Sequence, residues 1–143
     1  MGRGVQHSIK REDAEQLIRF LCWRSRVPEP SSVAWLTRAV RGCYKTPIPR
    51  RLPRGQIVVG PRVRDGLAAV IHETAHHVVS MRQPRLTVAE WRRQNSWRNG
   101  PRIHHGPVFI ETLRELAQAW YGDAKFYPWE TEYRSLRAAG AGV

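Results

Sequence analysis

The chain has 143 residues, which suits one domain with its own hydrophobic core and leaves little room for a second. A hydrophobic content of 41% with six Trp excludes a disordered chain, and two cysteines, Cys22 and Cys43, are too few for a disulfide framework. The 24 basic and 12 acidic residues leave a formal net charge of +12, a field that attracts polyanions, nucleic acid first among them.

Residues 1–8 read as a loose N-terminus. A first helix is predicted from Ile9 to about Arg26, because Ala14, Leu17, Ile18, Leu21 and Cys22 form a stripe at helical spacing; Pro28 and Pro30 stop it. Cys22 lies within the stripe and reads as a buried core thiol. A second, shorter helix is predicted from Ser31 or Ser32 as N-cap, carrying Val33, Leu36 and Val40 and ending at Gly42. Residues 43–55 are rich in Pro and Arg, so a strand near Cys43–Thr46 should be short or at an edge. Gln56-Ile57-Val58-Val59, set between Gly55 and Gly60-Pro61, reads as a short buried strand. A third helix follows, capped by Asp65 and running to about Met81. Thr87-Val88-Ala89-Glu90 has the form of a capping box, which predicts a short helix to about Gln94. Pro107 suits the first turn of a last helix that reaches Tyr121 and closes at Gly122. Residues 135–143, with their Ala-Gly-rich end, read as a loose C-terminus.

The third helix contains His72-Glu73-Thr74-Ala75-His76. Positions 72 and 76 lie one turn apart on one face, where two imidazoles can bind a tetrahedral Zn²⁺ at about 2.0–2.1 Å. Glu73 then stands beside the metal as the base for a bound water, whose pKa the ion lowers to about 7. In a chain with six His and nine Glu this pattern arises by chance with a probability on the order of a per cent. Leu67, Val70, Ile71, Thr74 and Val78 make a contiguous face on which the helix packs while His72 and His76 look away. The plain structural alternative is two surface histidines beside a solvated Glu. His77 lies well round the helix from His72 and reads as non-ligating.

A catalytic zinc takes three protein ligands and leaves one position to water. The metzincin continuation needs Gly at 79 and His at 82, where this chain has Val79 and Arg82, so that group is excluded. Glu111 and Glu115 are available on the last helix in the manner of a gluzincin. The pair His104-His105 is the better source. His105 has a physical argument of its own, because a residue immediately before a helix is fixed by the helix start and Gly106 allows a close backbone turn. His104 and Glu111 stay open as alternatives.

His105-Gly106-Pro107-Val108-Phe109 resembles the HGPxF signature that follows H-E-x-x-H in SprT-like zinc metalloproteases and in a group of small bacterial and phage metallohydrolases. The resemblance covers roughly residues 55–120. It implies a zincin-like minimal α+β domain, with a small sheet packed on the HExxH helix and additional helices. It further implies that His72, His76 and His105 are the metal ligands and Glu73 the catalytic base. The stretch between His76 and His105 is longer than in compact SprT-like domains and holds a basic, Trp-bearing insert.

The expectation is therefore one zincin-like domain over 1–143, a zinc-dependent metallopeptidase acting on a protein or peptide. An extended substrate would pair with the strand Gln56–Val59 and lie across the metal. An oxyanion donor would come from Tyr121, Tyr127, Tyr133 or an Arg. Two rivals are a zinc hydrolase of a non-peptide substrate and a nucleic-acid-binding protein whose zinc is purely structural. In the insert, Trp91-Arg92-Arg93-Gln94-Asn95-Ser96-Trp97-Arg98 can stack on single-stranded bases, form a lid, or be an amphipathic helix anchored by Trp91. Non-specific DNA contact through the basic surface is expected on charge alone, although 21 Arg against three Lys is equally the mark of a GC-rich coding sequence. No apolar run approaches the roughly 18–20 residues of a membrane span, and Met1–Lys10 has no apolar leader core, which leads to the expectation of a cytoplasmic protein.

Overall fold

A computed structural model describes residues 7–37, 42–61, 65–83, 89, 93 and 105–138. Among them the chain is α+β, with four α-helices and a three-stranded mixed sheet. It divides into two compact units, Met1–Met81 and Arg82–Val143.

The first unit begins with helix α1, Arg11–Ser25, whose stripe Ala14, Leu17, Ile18, Leu21 and Cys22 is wholly buried, as its spacing predicts. Arg26 ends it in the left-handed conformation at φ 59, and the Val27 N–H reaches back to the Cys22 carbonyl at 3.0 Å. That six-to-one closure satisfies a helix-end carbonyl before Pro28 forbids further helix.

Strands β1 (Ser32–Trp35), β2 (Cys43–Lys45) and β3 (Gln56–Val59) form a sheet in the order β1-β3-β2. β1 runs parallel to β3 with Ser32 opposite Gln56, and β2 runs antiparallel to it with Cys43 opposite Val58. The helix expected from Ser31 or Ser32 is thus a strand over Ser32–Trp35; residues 38–41 lie outside the described residues. Pairing with a buried neighbour outweighed a helical spacing carried by three side chains. β3 is central and Ile57, Val58 and Val59 are buried, so the strand expected to take an extended peptide already has partners on both sides. The outer strand β2 is short and at an edge, as its Pro-rich surroundings predict.

Helix α2, Gly66–Arg82, follows β3. Asp65 caps it as expected, its Oδ1 accepting from the Ala68 N–H at 3.0 Å, and Ser8 Oγ accepts from the Gly66 N–H at 2.7 Å. Ser8 is therefore tied to a helix start, and His7 stacks on Trp35 at 3.8 Å between centroids, although both fall in the stretch expected to be loose.

The second unit contains helix α3 (Pro107–Tyr121), a 3₁₀ turn (Ala124–Phe126) and helix α4 (Trp129–Ala138). Pro107 opens α3 and Gly122, at φ 79, closes it, as the sequence predicts. Phe109, Thr112, Leu113, Leu116 and Ala117 form its buried face. α4 is an addition to the expected elements: part of it, residues 135–138, was expected to be a loose end. Tyr127 donates to Glu132 Oε1 at 2.7 Å in a buried pair, and Leu136 is buried. The helix predicted at 87–94 and the insert from Trp91 to Arg98 lie outside the described residues, apart from positions 89 and 93. Among the described residues no helix is long and apolar enough to cross a membrane.

The two thiols differ in a way that chemistry can read. Burial, reinforced by Glu29, pushes the Cys22 thiol up to about 12, whereas Cys43 is exposed. Partial desolvation and then the Glu73 charge raise the Cys43 thiol, with Lys45 opposing. A thiol-reactive dye at pH 8 is expected to label one cysteine of the folded chain, at a rate that climbs as pH rises further, and both after denaturation. Two fast equivalents in the native state would contradict the buried position of Cys22.

Candidate metal centre

The central turns of α2 present two faces. Val70, Ile71, Thr74, Ala75 and Val78 are buried, and Thr74 Oγ1 satisfies itself on the Val70 carbonyl at 2.6 Å. The two unspecified positions of the H-E-x-x-H pattern are therefore the anchors of the helix. His72, Glu73 and His76 occupy the half-exposed face, with the His72 and His76 ring centroids 5.0 Å apart and inclined at 71°. Glu73 Oε1 lies 3.7 Å from His72 Nε2, too long for a short hydrogen bond, and its side chain is only 13% exposed.

His105 stands immediately before the α3 N-cap, Gly106. Its ring meets Phe109 edge to face, with centroids 5.1 Å apart and planes at 87°. Phe109 is part of the core, so the first turn of α3 holds this imidazole against a fixed wall. Gly106 has φ −79, a conformation open to any residue, so its expected backbone freedom is not drawn on at this torsion.

His72, His76 and His105 each offer one ring nitrogen, and the three nitrogens all lie within 4.8 Å of one another. Such a cluster can hold a metal ion. It is three imidazoles without a thiolate, a donor set suited to borderline divalent ions. The chain matches no family model, no curated protein and no solved structure. The cluster must be read from its own chemistry.

His104 lies outside the described residues. Glu111 is exposed and not in the cluster, and Glu115 accepts from Arg82 Nη1 at 3.0 Å. Tyr127 spends its hydroxyl on Glu132, and Tyr133 stacks on Trp129 at 5.8 Å. Tyr121 packs edge-on against Tyr127 at 6.5 Å.

Two residues near the cluster have no counterpart in the motif. His77, next to His76, is 0% exposed, with Nε2 2.7 Å from the Pro28 carbonyl and Nδ1 3.0 Å from Tyr44 Oη. It is non-ligating, as its place on the helix predicts. Burial is the main cause that lowers its pKa, and the neutral ring must carry its proton on Nε2, because the Pro28 carbonyl can only accept. Nδ1 then accepts from Tyr44, whose phenol burial pushes up to about 12 and so keeps protonated. The only sequence signal was the third His itself; its partners lie 49 and 33 residues away.

Proposed function

We propose that this chain is a zinc-dependent hydrolase of the zincin type, most closely resembling the SprT-like metallopeptidases, with a protein or peptide as substrate. The observation that carries the reading is the gathering of His72, His76 and His105 with Glu73 beside His72. Tetrahedral zinc bonds of about 2.0–2.1 Å place ligand nitrogens roughly 3.3–3.4 Å apart, and the three imidazoles each offer a nitrogen within 4.8 Å of the others. The three ligands gathered among the described residues would leave one position for water, which distinguishes a catalytic from a closed structural site.

When bound, zinc supplies the Lewis acidity that makes water a nucleophile near neutral pH. Glu73 accepts the proton of the attacking water at a carboxylate oxygen. As the carbonyl carbon gains the water oxygen and the C–N bond breaks, the same carboxyl returns the proton to the leaving amine. The peptide class rests on the resemblance of His105-Gly106-Pro107-Val108-Phe109 and on the sheet edge that β2 offers, whose Tyr44 adjoins His76.

The test is metal stoichiometry with cleavage of an unfolded protein such as casein. One zinc per chain is expected, and His72→Ala, His76→Ala or His105→Ala should each weaken it by at least about 10²-fold, since even partners of a ligand are worth 10–100-fold. Cleavage should vanish with a chelator and return with zinc. A chain that retains no zinc, or one whose zinc is indifferent to all three substitutions, refutes the proposal.

A further inference from the structure

Tyr44 on β2 touches both successive histidines of α2. Its ring is nearly parallel to that of His76, 11° off with centroids 6.5 Å apart, and meets His77 at 64° and 5.6 Å. Its hydroxyl donates to His77 Nδ1 at 3.0 Å and lies 3.5 Å from the Arg54 carbonyl. The opposite nitrogen of His77 donates to the Pro28 carbonyl at 2.7 Å, just beyond the end of α1. One buried imidazole is thus held at both nitrogens, by two different elements.

The pocket for the hydroxyl depends on Gly55. At φ 70 this residue lies in the left-handed region, and a Cβ there would collide with Tyr44 Oη and with the Lys45 carbonyl. The turn before β3 therefore leaves room for the phenol where any other residue would displace it.

We propose that Tyr44 and His77 are positioning residues for the metal centre: they lock the rotation of α2 about its axis and so aim His72 and His76. Consecutive helical residues differ by about 100°, so fixing His77 inward sets the direction of His76 beside it and of His72 a turn before. The tolerance is narrow. At a helix radius of roughly 5–6 Å, a rotation of about 20° carries an imidazole nitrogen on the order of 2 Å, whereas metal–ligand distances hold within about 0.2 Å. Apolar packing of Val70, Ile71 and Val78 resists translation of the helix off the core but is non-directional. Two directed hydrogen bonds on one ring supply the angular restraint.

The inference rests on the zinc-binding reading, and its test separates the two. Zinc affinity is measured by competition with a chromophoric chelator for the wild type, Tyr44→Phe, His77→Gln and the double variant, together with the visible spectrum of the cobalt-loaded proteins. Tyr44→Phe keeps the ring and removes only the hydroxyl; His77→Gln retains an N–H for the Pro28 carbonyl. Each single variant is expected to weaken zinc about 10-fold and to alter the cobalt band. The double variant should be little worse than the weaker single one, because both substitutions break one clamp. If Tyr44→Phe does not fold, His77→Gln carries the test alone. Wild-type zinc affinity and an unchanged cobalt spectrum in a folded variant overturn the clamp while leaving the zinc site standing. Zinc losses that add in the double variant also overturn it, and absence of zinc binding by the wild type overturns both.

Discussion

Glu73→Gln is expected to retain one zinc per chain while casein cleavage falls by about 10²–10⁴-fold, the range a positioned general base contributes. The substitution is isosteric. It leaves His72 and His76 on the same face of α2 and the buried anchors Thr74 and Ala75 untouched. What it removes is an acceptor for the proton of the attacking water, since an amide is a far weaker base than a carboxylate. Glu73 suits the part by position as well as type: it follows a candidate ligand directly, lies 3.7 Å from its ring and is 13% exposed. Metal content and turnover must be measured on the same preparations, because loss of both would describe a damaged site. Retained zinc with undiminished cleavage would show that Glu73 is not the base. Retained zinc without cleavage in either protein would favour the structural-zinc, nucleic-acid-binding rival.

How much of this was legible beforehand depended on whether the deciding contacts are local. The pattern His72-Glu73-Thr74-Ala75-His76 is complete within a turn and a half, and Asp65 caps its helix three residues from the N–H it accepts. α3 announces itself by Pro107 and Gly122 at its two ends. By local sequence alone the β1 segment favours a helix, because Ser31 or Ser32 can cap one and Val33, Leu36 and Val40 recur at helical spacing. Its strand state is decided by β3, whose Gln56 pairs with Ser32 across 24 residues. The same non-local pairing made β3 central, which removed it as an edge for substrate. α4 carries little local signal because its sequence, WETEYRSLRA, is mostly polar, and the buried pair of Tyr127 and Glu132 that ties down its first turn is a hydrogen bond rather than an apolar stripe. His77 shows the limit most clearly. Helical geometry set it apart from the ligands, but its two partners come from β2 and from the loop after α1, and no spacing within α2 contains them.

Phe109→Ala should lower unfolding stability by about 3–5 kcal/mol, the cost of emptying a buried aromatic site. Phe109 is 1% exposed and is among the largest fully buried side chains, on the face of α3 shared with Leu113 and Leu116. Truncation loses the transfer free energy of the ring and leaves a cavity that a helix fixed by Pro107 and Gly122 cannot readily close. In a chain of this length a kilocalorie shifts the melting temperature by about 2–4 °C, so the midpoint should fall by roughly 6–20 °C. Val108 is the internal control. It is 62% exposed on the neighbouring position of the same turn, and Val108→Ala should stay within about 0.5 kcal/mol. Phe109 is also the wall against which the His105 ring rests edge to face, so the same substitution should weaken zinc under conditions where the variant remains folded. Parallel urea titrations of both variants, with zinc affinity measured below the transition, separate these effects. A Phe109→Ala protein as stable as Val108→Ala would show that α3 does not pack as described. Normal zinc affinity in the folded variant would show that His105 needs no wall.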